Sequence, residues 1–265
     1  MKIGVAGKGG TGKTLIAGTL ARFFAKSFKV LAIDNDPSMN LIYSLGMDPA
    51  LRNEITPIAH MTKLVLERTS IEGAGSVIYK ANPYVSDIPD TFKIHGPDNL
   101  ELLVLGTVEQ PSSGCLCAPN VLVRSLLSDL ILNRDEVVIV DFEAGIEHIS
   151  RGTGKSIDVM LIVTGAYQKS LDLTEKLSRL SQELGIKKTF LIGNMIENKQ
   201  SEEFLHNWAE DNSLEIIGII PRDPDIIRCE QIGESPYDTI RMTSPALNEI
   251  KRIFQNLKRY YIDSE

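Results

Sequence analysis

A doubly wound α/β fold, with a mainly parallel seven-stranded sheet flanked by helices, is what this sequence predicts, on two observations. Seven short β-branched or Leu-rich runs recur along the chain, and stretches with one apolar helical face lie between them. The runs are Lys2–Ala6, Val30–Asp34, Leu100–Leu105, Val137–Asp141, Val159–Val163, Thr189–Gly193 and Ile216–Ile220. Each is continuously apolar rather than alternating, as expected of strands covered on both faces of a parallel sheet.

Taken in order, the first run leads through a glycine-rich turn into a helix whose apolar face is Ile16, Leu20, Phe23 and Phe24. After the second run, Asp48 to Pro97 holds Pro49, Pro57, Pro83, Pro89 and Pro97 and one apolar segment around Met61–Leu66, which reads as loops and short helix. Val123, Leu126, Leu127, Leu130 and Ile131 form the stripe of a helix after the third run, and Leu173, Leu177, Leu180 and Leu184 that of one after the fifth. A last stripe, Leu247, Ile250, Phe254, Leu257 and Tyr261, runs beside Lys251, Arg252, Lys258 and Arg259. Such a helix either docks on its own core or lies on a membrane surface. No linker or repeat divides the chain, so residues 1–265 read as one domain with an irregular insertion at about 48–98.

Composition narrows the function. With 28 Lys+Arg against 35 Asp+Glu the formal net charge is −7, which argues against a nonspecific nucleic-acid partner, since phosphate binding relies on clustered cations. No uncharged apolar run approaches the ~18 residues of a membrane span. The five residues Ile3 to Gly7 before Lys8 are too few for a signal-peptide core. A cytoplasmic protein with no membrane partner is expected. Three cysteines, Cys115, Cys117 and Cys229, make no disulfide framework.

Gly7-Lys8-Gly9-Gly10-Thr11-Gly12-Lys13-Thr14 satisfies G-x-x-x-x-G-K-[ST] between a strand and a helix, the context a phosphate-binding loop requires. Glycines let backbone N–H groups converge on phosphate oxygens, and the helix N-terminus adds partial positive charge. Such a loop suits a triphosphate, with Lys13 reaching its β and γ phosphates and Thr14 able to ligate magnesium. Gly154-Lys155-Ser156 also spells G-K-S, but no strand immediately precedes it. Asp34-Asn35-Asp36 follows the second run and Asp141-Phe142-Glu143-Ala144-Gly145 closes the fourth, which sets carboxylates at the strand ends where ligands of such sheets bind. Asp141 is suited to magnesium, usually through water, and Asp34 could serve the same metal shell or cap a turn.

The extra lysine in Lys8-Gly9-Gly10-Thr11-Gly12-Lys13-Thr14 resembles the deviant Walker A motif of the MinD/ParA/nitrogenase-iron-protein superfamily. That resemblance implies an ATP-hydrolysing homodimer in which Lys8 reaches the partner's nucleotide. It also implies that Asp36 positions or deprotonates the attacking water, and that Gly145 offers an N–H to the γ-phosphate. By the same resemblance Asn194 and Pro221-Arg222-Asp223, after the sixth and seventh runs, contact adenine; each is also an ordinary turn residue.

Gly114-Cys115-Leu116-Cys117 precedes a helix start, and in extended chain the two sulfurs point the same way. Two such pairs across a two-fold axis make a Cys₄ set for zinc or nickel. With this pair and Asp-Phe-Glu-Ala-Gly-Ile-Glu-His-Ile-Ser-Arg-Gly-Thr through Thr153, the chain resembles CooC-type nickel-insertion ATPases. Their role in maturing carbon monoxide dehydrogenase, with relatives serving acetyl-CoA synthase, implies a nickel-enzyme client. His148, within this run, reads as a polar hinge residue rather than one that assists a metal. Two alternatives stand at this point: an iron–sulfur, ATP-dependent reductase of nitrogenase-iron-protein type and a positioning ATPase of the MinD or ParA type.

Overall fold

The computed structural model describes residues 1–71, 79–106, 118–143, 145–146, 149–240 and 244–262. One sheet dominates them, with strands β1 (Lys2–Gly7), β2 (Val30–Asn35), β3 (Ile94–His95), β4 (Leu100–Val104), β5 (Val137–Phe142), β6 (Val159–Thr164), β7 (Lys188–Ile196) and β8 (Glu215–Pro221) in the order β3-β4-β2-β5-β1-β6-β7-β8. All pair in parallel except β3, which runs antiparallel to β4. The expected parallel sheet and its seven runs are present, but the described sheet has eight strands, not seven. The added strand is two residues long, and Ile94 pairs with Leu102 at the sheet edge. Two residues carry no periodicity, and only the neighbouring strand defines them.

Helices cover both faces. On one lie α1 (Lys13–Ala25), α2 (Leu41–Ser44) and, at the chain's end, α11 (Pro245–Ile262). On the other lie α5 (Ala118–Asn133), α6 (Arg151–Gly154), α7 (Gln168–Leu184) and α8 (Lys199–Asp211). All five residues of the α5 stripe are buried, as are Ile16, Leu20, Phe23 and Phe24 of α1. In α7, Leu177 and Leu184 are buried while Leu173 and Leu180 pack at the margin. The α11 stripe docks on the core: Leu247, Ile250 and Leu257 are fully buried, as is their neighbour Ile253, while Phe254 and Tyr261 pack partly buried against it. Phe254 lies 5.6 Å from the Phe23 ring and 4.8 Å, edge-on, from that of Phe24. Lys251, Arg252 and Arg259 face outward. Among the described residues no helix is long and apolar enough to cross a membrane.

Between β2 and β4 the chain makes two 3₁₀ turns, Pro49–Asn53 and Ile58–His60, then α3 (Thr62–Thr69) and α4 (Ile88–Phe92). Ile58, Val65, Val85 and Ile88 are buried in the same core as α5, and Arg68 clamps Asp87 through both guanidinium nitrogens at 2.9 and 2.7 Å. After β8 come α9 (Pro224–Ile232) and α10 (Pro236–Thr239). β1 is central, with successive strands laid to one side and then the other, so the crevice at its carboxyl end is the topological switch point where ligands of open α/β sheets bind.

Candidate functional site

The loop between β1 and α1 occupies that crevice. β1 ends at Gly7, where an added Cβ would stand 2.2 Å from the Val163 carbonyl oxygen of β6, so a side chain there would force the two strands apart. The Thr11 N–H and hydroxyl both donate to the Lys8 carbonyl, at 3.2 and 2.7 Å, and tie the loop into a ring. Gly10 (φ 80°) and Gly12 (φ 84°) take left-handed conformations. Added Cβ atoms at Gly9 and Gly10 would meet nothing within 4 Å, so the loop's backbone opens outward. α1 starts directly after Gly12 with no side-chain cap, and the first amides of a helix lack intrahelical partners, which suits this end to an anion. Lys13 is 6% exposed, while Thr14 and Lys8 are half-buried.

Beside the loop, Asp141 of β5 is the register partner of Asp34 on β2, so two carboxylates stand side by side at the strand ends. Each is 1% exposed. Burial pushes the Asp141 carboxyl up to about 7, against the pull of the Thr14 hydroxyl and then of Lys13. Neither Asp141 oxygen has a hydrogen-bond partner of good geometry among the described residues, so Thr14 acts on it from nearby without satisfying it. Asp34 is pushed up to about 8, by burial first and by Asp141 second. Its oxygens accept the N–H groups of Asp36 at 3.0 Å and Leu41 at 3.1 Å, so its visible work is to hold the turn between β2 and α2. Asp36 is half-buried in that turn, where one carboxylate oxygen accepts the Ser38 N–H at 2.8 Å and also the Ser38 hydroxyl. An orphaned buried carboxylate beside a threonine hydroxyl is a hard-oxygen donor set that fits magnesium. Gly145 is half-buried beyond Asp141.

The residues expected at the base also converge: Asn194, Pro221, Arg222 and Asp223 line, with Gly12, a narrow slot of about 20 Å³. Their side chains are largely committed elsewhere. Asn194, 7% exposed, donates Nδ2 to the Thr11 carbonyl at 2.7 Å and so braces the phosphate loop. The Asp223 carboxylate accepts from the Asp225 N–H at 2.9 Å, the Ser244 hydroxyl at 2.6 Å and the Ala246 N–H at 3.4 Å, fastening the start of α9 to that of α11. Burial raises its pKa, but these hydrogen bonds outweigh burial and hold it below the ordinary range. Arg222 pairs outward with Glu197.

Sequence reasoning missed the wall of a larger cleft, about 730 Å³, in which Met195, Tyr43, Glu230 and Ile232 face Gly12 and Lys13. Met195 has φ 58° and is 42% exposed, because β7 breaks register with β8 there. No motif signals it. Cys115, Cys117 and His148 lie outside the described residues. Cys229 is buried in α9, and burial raises its thiol. Among the described residues, no three His, Cys, Asp or Glu side chains group to hold a metal ion.

A phosphate-cradling loop and a buried acid pair at the switch point of a parallel sheet define a nucleotide-binding ATPase. The chain belongs to the CobQ/CobB/MinD/ParA nucleotide-binding domain family, whose model matches residues 3–237. An uncharacterized ATP-binding protein of Methanocaldococcus jannaschii is 42% identical over 258 residues, 96% of each chain. The carbon monoxide dehydrogenase accessory protein CooC of Rhodospirillum rubrum is 38% identical over 239 residues, 90% of each. In fold the chain is similar to MinD of the Aquifex aeolicus MinC:MinD cell division complex, with TM-score 0.67 at 21% identity over 97% of this chain and 94% of that one. The septum site-determining protein MinD of Pyrococcus horikoshii, complexed with Mg-ADP, gives TM-score 0.67 at 19% identity, covering 98% and 96%.

Proposed function

We propose that this protein is an ATP-dependent metallochaperone. It acts as a cytoplasmic homodimer that binds a divalent metal, nickel or zinc, through Cys115 and Cys117 of each protomer and assists nickel insertion into the cluster of carbon monoxide dehydrogenase or acetyl-CoA synthase. The observation that carries this reading is the 38% identity to a carbon monoxide dehydrogenase accessory protein over 90% of both chains. The Cys-x-Cys pair gives a soft-metal cargo ligands of the right kind.

Hydrolysis is assigned to the crevice. The backbone of Gly9, Gly10, Thr11 and Gly12, the first amides of α1 and Lys13 hold the phosphates. Thr14 and Asp141, with Asp34 behind them, are the residues that would hold magnesium, which supplies neutralising charge when bound. Asp36 orients the attacking water, Gly145 offers its N–H to the γ-phosphate, and Lys8 serves the partner's nucleotide. Asn194 acts by bracing Thr11 rather than by reading the base, and Asp223 by fixing the Pro221–Asp223 loop whose backbone meets adenine. The net charge of −7 favours a protein client over nucleic acid, and α11 buries Leu247, Ile250 and Leu257 of its apolar stripe in the core, which argues against a membrane-positioning role for that helix.

The test is activation of nickel-free carbon monoxide dehydrogenase at limiting nickel, with purified protein and ATP. The wild type should restore activity, and both Lys13→Ala and Cys115→Ala/Cys117→Ala should not. Equal activation by the double cysteine variant would overturn the reading.

A further inference from the structure

We propose that Arg52, in the 3₁₀ turn Pro49–Asn53, is a positioning residue for ATP hydrolysis that holds the Asp36–Met39 turn, and through it the Asp36 carboxylate, in its working place. The inference rests on the assignment of Asp36 to the attacking water.

The turn is tight and unfavourable by itself. The Met39 N–H donates to the Asp36 carbonyl at 3.2 Å across Pro37 and Ser38, and Met39 follows with φ 49°, a left-handed conformation that a long side chain rarely adopts. Such a conformation persists where surrounding structure over-determines it. Asp34 pins the turn at both ends, through the N–H groups of Asp36 and Leu41. Within the turn, Ser38 bonds Asp36, and Asn40 Nδ2 donates to the Ser38 hydroxyl at 3.1 Å, contacts that travel with the loop if it moves. The apex is fastened from outside by Arg52, whose Nη2 donates to the Ser38 carbonyl at 2.8 Å. Its Nη1 reaches the Tyr43 hydroxyl at 3.4 Å, with the guanidinium carbon 5.9 Å from the Tyr43 ring centroid. The planar fork thus bridges the turn to α2, which a single ammonium cannot do with the same geometry.

Arg52 is thus a cation fixed at the apex of a turn whose own backbone is unfavourable, and it holds there the one carboxylate assigned to the attacking water. Since Arg52 belongs to the segment between the second and third predicted strands, that segment acts on turnover as well as covering the core.

Steady-state ATP hydrolysis of the full chain, with Arg52→Ala, Arg52→Lys, Asp36→Asn and the Arg52→Ala/Asp36→Asn pair, tests this. Arg52→Ala should lower kcat about ten- to a hundredfold, as misplacing a reacting group by an ångström does, with KM for ATP changed less than about threefold. Arg52→Lys should recover part of kcat. Added to the residual turnover of Asp36→Asn, Arg52→Ala should cost little more, because both act through one carboxylate. A loss confined to KM, full additivity in the double variant, or unchanged kcat overturns the proposal. Full turnover by Asp36→Asn instead removes the assignment of Asp36, and the inference with it.

Discussion

Replacing Asp141 with Asn should make the nucleotide-free protein more stable while abolishing hydrolysis. The wild-type carboxyl is 1% exposed, has no hydrogen-bond partner among the described residues, and is pushed from 3.8 to about 7, chiefly by burial. In the unfolded chain it ionises near 4, whereas the folded chain keeps the proton until about 7, so between these values the native state binds more protons. Stability therefore falls as pH rises through that window. Each pKa unit is worth about 1.4 kcal/mol, so a rise of roughly three units amounts to about 4 kcal/mol at pH 8 and about 1 kcal/mol near pH 4.5. Asparagine keeps the shape and removes the ionisation, and relieves Asp34 as well. In urea unfolding with EDTA and no nucleotide, the variant should gain on wild type by about 3 kcal/mol between pH 4.5 and pH 8. A variant that is less stable at every pH, or a gap that does not widen, would refute the account of a carboxylate held in reserve for a cation.

Gly12→Ala places a side chain at φ 84° with its Cβ 2.4 Å from Asn194 Nδ2, so it strains the backbone by about 1 kcal/mol or more and dislodges the brace on Thr11. Calorimetric titration should show ATP affinity reduced about tenfold or more, and wild-type affinity would contradict the geometry. Lys8→Ala should leave ADP binding intact yet lose ATP-driven dimer formation and turnover, read by light scattering and phosphate release; a variant that still dimerises and hydrolyses ATP normally would remove the role given to Lys8. Leu257→Ala opens a cavity under α11 and should destabilise by about 2–5 kcal/mol in chemical denaturation without creating any vesicle binding to lose. An unchanged midpoint would mean that α11 is not part of the core.

Local signals made most of the fold legible. The long strands announce themselves because burial on both faces demands unbroken apolar runs, and the phosphate loop because its glycines and lysine must stand at fixed spacing. β3 was invisible, being two residues defined by β4 alone. The stretch from Asp48 to Pro97 shows in sequence only as loops and short helix, because its elements are held by distant partners such as Arg68 with Asp87 and Ile88 with the α5 core. The hydrogen bonds of Asn194 and Asp223 are not legible in the sequence, because Asn194 braces Thr11, 183 residues away in the chain, and Asp223 accepts from Ser244 on another element. The α11 stripe showed an apolar face, yet its place against Phe23 and Phe24 exists only in three dimensions. Met195 and Arg52 carry no motif, and their importance comes from backbone geometry and from a carbonyl on another loop.

Metal content and native mass of the purified protein, with and without ADP or ATP and beside the Cys115→Ala/Cys117→Ala variant, test the central claim most directly. About one nickel or zinc ion per dimer, lost in the variant, is the predicted result for four thiolates shared across a two-fold axis. Iron with sulfide would point to a reductase instead, and a metal-free dimer indifferent to the variant would contradict the metallochaperone account.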